Sequence, residues 1–138
     1  MGTSLVPYLT FGGNAADAMR FYRSVLGGEL TMQTFGEAKM AEKPEDENRI
    51  IHATLKNDAL TFMASDSQPG EPVKSGDNFS MSISGEDGEM LASIFKRLSE
   101  GGNIDMPLAK QFWGDTFGML RDKFGIRWMV NINSQQQT

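Results

Sequence analysis

NAADAMRFYRSVLGGEL, residues 14 to 30, can be laid without a gap over GEMLASIFKRLSEGGNI, residues 88 to 104. The alignment brings Ala18 to Ala92, Phe21 to Phe95, Arg23 to Arg97, and Gly27-Gly28 to Gly101-Gly102. Both stretches carry helical spacing: Ala15, Ala18, Met19 and Tyr22 in one, and Leu91, Ile94, Phe95 and Leu98 in the other. Asn14 and Asp87 stand where N-caps belong, and the glycine pairs supply a left-handed stop. The pattern therefore predicts two matched helices.

Strand-like segments surround each helix. Leu5 to Phe11 precedes the first, and Glu29 to Phe35, Ile50 to Lys56 and Ala59 to Ser65 follow it, the last two joined at Asn57-Asp58. Phe79 to Ser84 precedes the second, and Ile104 to Pro107, Thr116 to Arg121 and Ile126 to Asn131 follow it. The repeating unit is β-α-β-β-β. The expectation is a single domain over residues 1–138, with module one at about 1–65, a turn-rich linker over 65–78 and module two at about 79–133. The charged loop 36–49 and the linker are each read as a solvated connection, with a lid as the alternative; the tail SQQQT is expected to be disordered.

Composition removes several function classes. A chain of 138 residues with 39% hydrophobic content has ordinary globular proportions. A formal charge of −5 leaves no phosphate-neutralising stripe, so a nucleic-acid partner is not expected. No apolar run reaches the length of a membrane span, and the first residues lack the pattern of a secretory leader, so no membrane partner and a cytoplasmic location are expected. The absence of cysteine removes disulfides, thiolate metal sites and a Cys nucleophile.

Three phrases carry a family resemblance: PYLTFGGNAADAMRFYRSVLGGEL near the start, HATL with LTFMASD in the middle, and FWGDTFGMLRDKFGIRWMVN near the end. Together they resemble the vicinal oxygen chelate superfamily, in its PhnB-like, glyoxalase/bleomycin-resistance-type branch. The resemblance implies an α+β fold of two tandem βαβββ modules forming a cup-shaped mixed sheet with helices on the outer face. It also implies a homodimer and small-molecule or metal chemistry in the cup. Fold membership does not choose among the lyases, epimerases, dioxygenases and antibiotic-sequestering proteins of the superfamily. Some PhnB-like members carry a demethylubiquinone methyltransferase label, but the sequence shows no nucleotide-type glycine fingerprint, and no cofactor is expected.

Alternation sorts side chains into faces. A two-residue turn at Asn57-Asp58 would pair Lys56 with Ala59 and place Ile51, Ala53, Leu55, Leu60, Phe62 and Ala64 beneath the first helix. Ile50, His52, Thr54, Thr61, Met63 and Ser65 would then line the cup. Closing Arg121 against Ile126 would put Phe117, Met119, Ile126, Trp128 and Val130 beneath the second helix, with Gly118, Leu120, Arg127, Met129 and Asn131 opposite. Phe79, Met81 and Ile83 are assigned to the helix side; Ser80, Ser82 and Ser84, like Tyr8 and Thr10, to the cup.

The candidate ligand-binding residues are Tyr8, His52, Met63, Ser80, Trp113, Arg127 and Met129. His52, the only histidine, is the best candidate for catalysis as a general acid or base; its alternative is a half-buried polar residue on a wet face. Arg127 is read as an anion anchor or an ordinary rim arginine. Trp113, with Asp115 as a polar anchor, is read as a wall of the cup or as loop anchoring with Phe112. Metal-dependent relatives take His, Gln or Glu ligands from the first and fourth strands of each module, and the resemblance places those positions at or beside Tyr8, Met63, Ser80 and Met129. Hydroxyl and thioether groups hold a divalent ion poorly, so no metal site is expected. The acidic run 42–47 is read as a solvated loop. The leading reading is a metal-independent protein that binds or transforms a small molecule; a metal-dependent lyase, isomerase or dioxygenase and a drug-sequestering dimer remain as alternatives.

Overall fold

The computed structural model describes residues 2–134. Of the expected disordered tail, residues 135–138 lie outside the described residues. Two compact units divide between Lys74 and Ser75. The first contains β1 (Tyr8–Phe11), α1 (Ala15–Leu26), β2 (Glu29–Thr34), β3 (Ile50–Lys56) and β4 (Thr61–Asp66). The second contains β5 (Met81–Gly85), α2 (Gly88–Ser99), β6 (Asn103–Lys110), β7 (Thr116–Arg121) and β8 (Arg127–Ile132). Each unit is thus βαβββ, and the two sheets share one topology, β1-β4-β3-β2 and β5-β8-β7-β6. The helix carries the chain from the first strand to the far edge, and two antiparallel steps bring the fourth strand back parallel to the first.

The helices form for the reasons their spacing predicts. Ala15, Ala18, Met19, Tyr22 and Val25 of α1 are buried, as are Leu91, Phe95 and Leu98 of α2. Each large apolar side chain so buried contributes about 1.5–3 kcal/mol. The glycine pairs have a second purpose. Gly27 and Gly101 supply the positive φ that ends each helix, while a Cβ on Gly28 or Gly102 would lie 2.6 Å from the Lys56 carbonyl or 2.2 Å from the Arg121 carbonyl.

The caps differ. Asp87 caps α2 as expected, accepting the Met90 N–H. Asn14 makes no side-chain cap. The buried carboxylate of Asp66, at the end of β4, takes that place: Oδ1 accepts from the Gly13 and Ala15 N–H groups and Oδ2 from Ile50 N–H. A charge placed at a helix start by a distant strand leaves no local sequence signature.

Both hairpin registers differ from expectation. In the first, Leu55 pairs with Phe62 and Ala53 with Ala64, and the loop widens to Asn57–Leu60. The Asn57 Oδ1 accepts from Ala59 and Leu60 N–H, which holds the wider loop. The register moves by an even number, so the faces survive. The exception is Ile50, which is buried where the mixed face was expected, because a bulge opposite Gln33 and Thr34 breaks the alternation.

In the second hairpin the displacement is odd. Arg121 pairs with Arg127 rather than Ile126. Asp122 is the cause: its Oδ1 accepts from Phe124 and Ile126 N–H, and its Oδ2 accepts the Trp128 indole N–H at 2.8 Å. The extra loop residue inverts β7. Gly118 and Leu120 lie beneath α2 with the buried Trp128 and Val130, while Phe117 and Met119 occupy the opposite face. Gly118 is required there, since a Cβ would stand 2.8 Å from Phe95 Cε2.

The first strands are shorter than expected and β6 is longer. Leu5 and Phe79 lie outside the strands and are exposed, so Phe79 does not pack beneath α2.

Candidate functional site

Each sheet has one face under its helix and one face free of it. On the free face of the first sheet, cross-strand pairing sets Tyr8, Met63, Thr54 and Thr31 in one row across all four strands. His52 stands beside that row, paired with Gln33. The Tyr8 hydroxyl lies 3.2 Å from His52 Nδ1, and Thr54 Oγ1 lies 3.2 Å from Nε2. Both ring nitrogens therefore have hydroxyl partners.

A hydroxyl can donate or accept, so this arrangement satisfies the neutral imidazole in either tautomer and the imidazolium alike. The ring can take up or release a proton without leaving a polar atom unpaired. Tyr8, 49% exposed, keeps one end of the chain Tyr8–His52–Thr54 open to an incoming molecule. The accessible phenol can therefore hydrogen-bond a bound molecule while it contacts the imidazole.

The free face of the second sheet has a different chemistry. Ser82, Met129, Met119 and Met106 form the row that corresponds to Tyr8, Met63, Thr54 and Thr31. Ser82, rather than Ser80, stands opposite Met129; Ser80 precedes β5. Arg127 and Arg121 are direct cross-strand partners beside the methionines. The Arg127 guanidinium donates to the Asp77 carbonyl and that of Arg121 to the Gly125 carbonyl at 2.9 Å.

Trp113 lies in the β6–β7 loop, its ring 6.1 Å from Phe117, while Phe112 is 97% exposed and stacks edge-on against Trp113. Asp115 accepts from the Asn131 amide and the Ser134 N–H. Those hydrogen bonds, the Asn131 amide first, hold its carboxyl below the usual range. It ties the loop to the end of β8.

The paired first- and fourth-strand positions are Tyr8 and Met63 in one sheet and Ser82 and Met129 in the other. Phenol, hydroxyl and thioether donors, with one imidazole nearby, do not fit a divalent ion. Among the described residues no three His, Asp or Glu side chains converge.

The family model described as 3-demethylubiquinone-9 3-methyltransferase matches residues 3–131. The chain belongs to this PhnB-like family. The chain is 34% identical to protein YjdN of Escherichia coli, over 97% of this chain and 98% of that protein. The crystal structure of PA1353 from Pseudomonas aeruginosa is similar at 37% identity and a TM-score of 0.86, covering 97% of this chain and all of that one. A putative 3-demethylubiquinone-9 3-methyltransferase, PhnB protein, from Bacillus cereus is 28% identical with a TM-score of 0.80, over 95% and 100% of the two chains. A glyoxalase-related enzyme from Fulvimarina pelagi, 16% identical with a TM-score of 0.64 over 95% of this chain and 89% of that one, shows the shared vicinal oxygen chelate fold.

In the glycine turn between β1 and α1, the Gly13 and Ala15 N–H groups are taken by the Asp66 carboxylate. Sequence reasoning placed Tyr8, His52 and Met63 on one face but did not single out Thr54. It missed Arg121 and Met119 because of the inverted β7. The Asx-forming Asp122 in the turn was the available signal.

Proposed function

We propose that this PhnB-like protein binds or transforms a small molecule on the free face of the first sheet, with His52 as the acid–base group and without a metal. The observation that carries the reading is the imidazole held at both nitrogens by Tyr8 and Thr54. A side chain placed only for packing has no need of two hydroxyl partners on an accessible face. Met63, paired with both Tyr8 and Thr54, gives the ligand an adaptable apolar contact.

The chemistry proceeds through this chain's own groups. A ligand proton passes to His52 through Tyr8 or directly, while the Thr54 hydroxyl turns to accept or donate at the other nitrogen. The donor set gives a metal no share in that step. The working form is a homodimer: each sheet has two edge strands, and the exposed Phe79 and Phe112 add apolar surface that a twofold contact would cover.

Native mass spectrometry of untagged protein tests these points together. The expected result is a dimer of 15.2 kDa chains, free of stoichiometric metal, that retains a small molecule when exposed to a cell extract. His52→Ala should lose that molecule. A monomer would overturn the dimer; stoichiometric metal lost with His52 would return the metal-dependent reading to first place.

A further inference from the structure

We infer that the free face of the second sheet is a binding site for an organic acid with an unbranched apolar body: Arg121 and Arg127 take the acid group and the Met129–Met119–Met106 row takes the chain. The proposal does not rest on the His52 reading and concerns only residues of the second unit. Its first support is the register. Arg121 and Arg127 are direct partners in β7 and β8, so both side chains leave the same face side by side.

Like charges placed opposite each other across a sheet destabilise it, and a chain with a net charge of −5 has acidic residues to spare for neutralising them. None does so here. The hydrogen bonds of the two guanidinium groups go to the carbonyls of Gly125 and Asp77, and the cross-strand neighbour of Arg121 in β6 is the neutral Asn103. A guanidinium has five N–H donors, so both retain donors for a ligand. A carboxylate or phosphate would exchange a neutral acceptor for a charged one, giving the stronger bidentate geometry that arginine favours.

The second support is the adjoining row. Met129, Met119 and Met106 are consecutive cross-strand neighbours, and Met106 is 40% exposed. The corresponding positions of the first sheet hold Met63, Thr54 and Thr31, so the topology does not demand methionine there. Unbranched thioether side chains adapt to a flexible apolar partner. Strand spacing of about 4.8 Å lets the row follow several methylene groups. Charge at one end and thioethers alongside together specify an amphiphilic anion.

The test uses full-length protein carrying methyl-labelled methionine, observed by NMR during titration with hexanoate, hexyl phosphate, hexan-1-ol, hexylammonium and inorganic phosphate. Both hexyl acids should shift the Met119 and Met129 methyl signals saturably, binding at least about tenfold more tightly than hexanol. Added salt should weaken the acids and leave hexanol unchanged. Inorganic phosphate alone should bind more weakly than hexyl phosphate, and hexylammonium should not bind. R121Q/R127Q keeps the apolar stems and should bring the acids to the hexanol level; R127Q alone should do so in part. Equal affinity for acid and alcohol, salt-independent binding of the acids, or unchanged binding in a folded R121Q/R127Q protein would overturn the proposal.

Discussion

The two sheets are built on one plan and finished in two chemistries. Beneath the helices they agree: Leu55, Phe62 and Ala64 in one, Leu120, Trp128 and Val130 in the other, all buried. On the free faces they part, with a row of Tyr8, Met63, Thr54 and Thr31 against one of Ser82, Met129, Met119 and Met106. The helix must cover apolar surface, so the buried face is constrained by the fold itself. The free face is not, and it carries the His52 imidazole in one sheet and the Arg121 and Arg127 pair in the other. The contrast is between a face that the helix constrains and a face left open to carry the functions proposed above.

That comparison can be broken most severely at Trp128. Trp128→Ala removes the largest side chain from beneath α2 and leaves the Asp122 carboxylate short of a partner, so a loss of about 3–5 kcal/mol is expected in denaturant melts. A loss below about 1 kcal/mol would mean that the helix side is not the constrained side.

The two helix starts come next. Asp66 accepts three N–H groups while buried, whereas Asp87 accepts one at the surface. Asp66→Ala should cost roughly 3 kcal/mol, since it strands buried donors, and Asp87→Ala about 1 kcal/mol. Equal losses would remove the asymmetry between the caps. Gly118→Ala sharpens the inverted register of β7: pressed against Phe95, the added methyl should cost about 1–3 kcal/mol, whereas on the free face it would cost almost nothing. The smallest effect belongs to His52→Ala, which should change stability by less than about 0.5 kcal/mol.

Much of this architecture was legible in the sequence because its causes are local. Helical spacing in 14–30 and 88–104, with glycine pairs behind it, is enough to find α1 and α2. Alternation placed His52, Met63, Trp128 and Met129 on their observed faces. What failed depended on side-chain hydrogen bonds and register irregularities that the apolar pattern does not carry. Asp122 lengthens one loop by a residue and inverts β7, hiding Arg121 and Met119; Asp66 displaces Asn14 from the cap; and the bulge opposite Gln33 and Thr34 moves Ile50 inward. The contact between Tyr8 and His52 spans 44 residues through a parallel pairing, which no local pattern encodes.

One imidazole in the whole chain gives one clean signal, and that makes the central claim directly measurable. The His52 ring and Tyr8 resonances should be followed by NMR as a low-molecular-mass fraction of cell extract is added, with the buried Trp128 indole as the internal reference. Saturable shifts of His52 and Tyr8 with an unmoved Trp128 are expected, and they should vanish in Tyr8→Phe, Thr54→Val protein that remains folded. Binding by the extract that leaves His52 and Tyr8 unchanged would contradict the assignment of function to the free face of the first sheet.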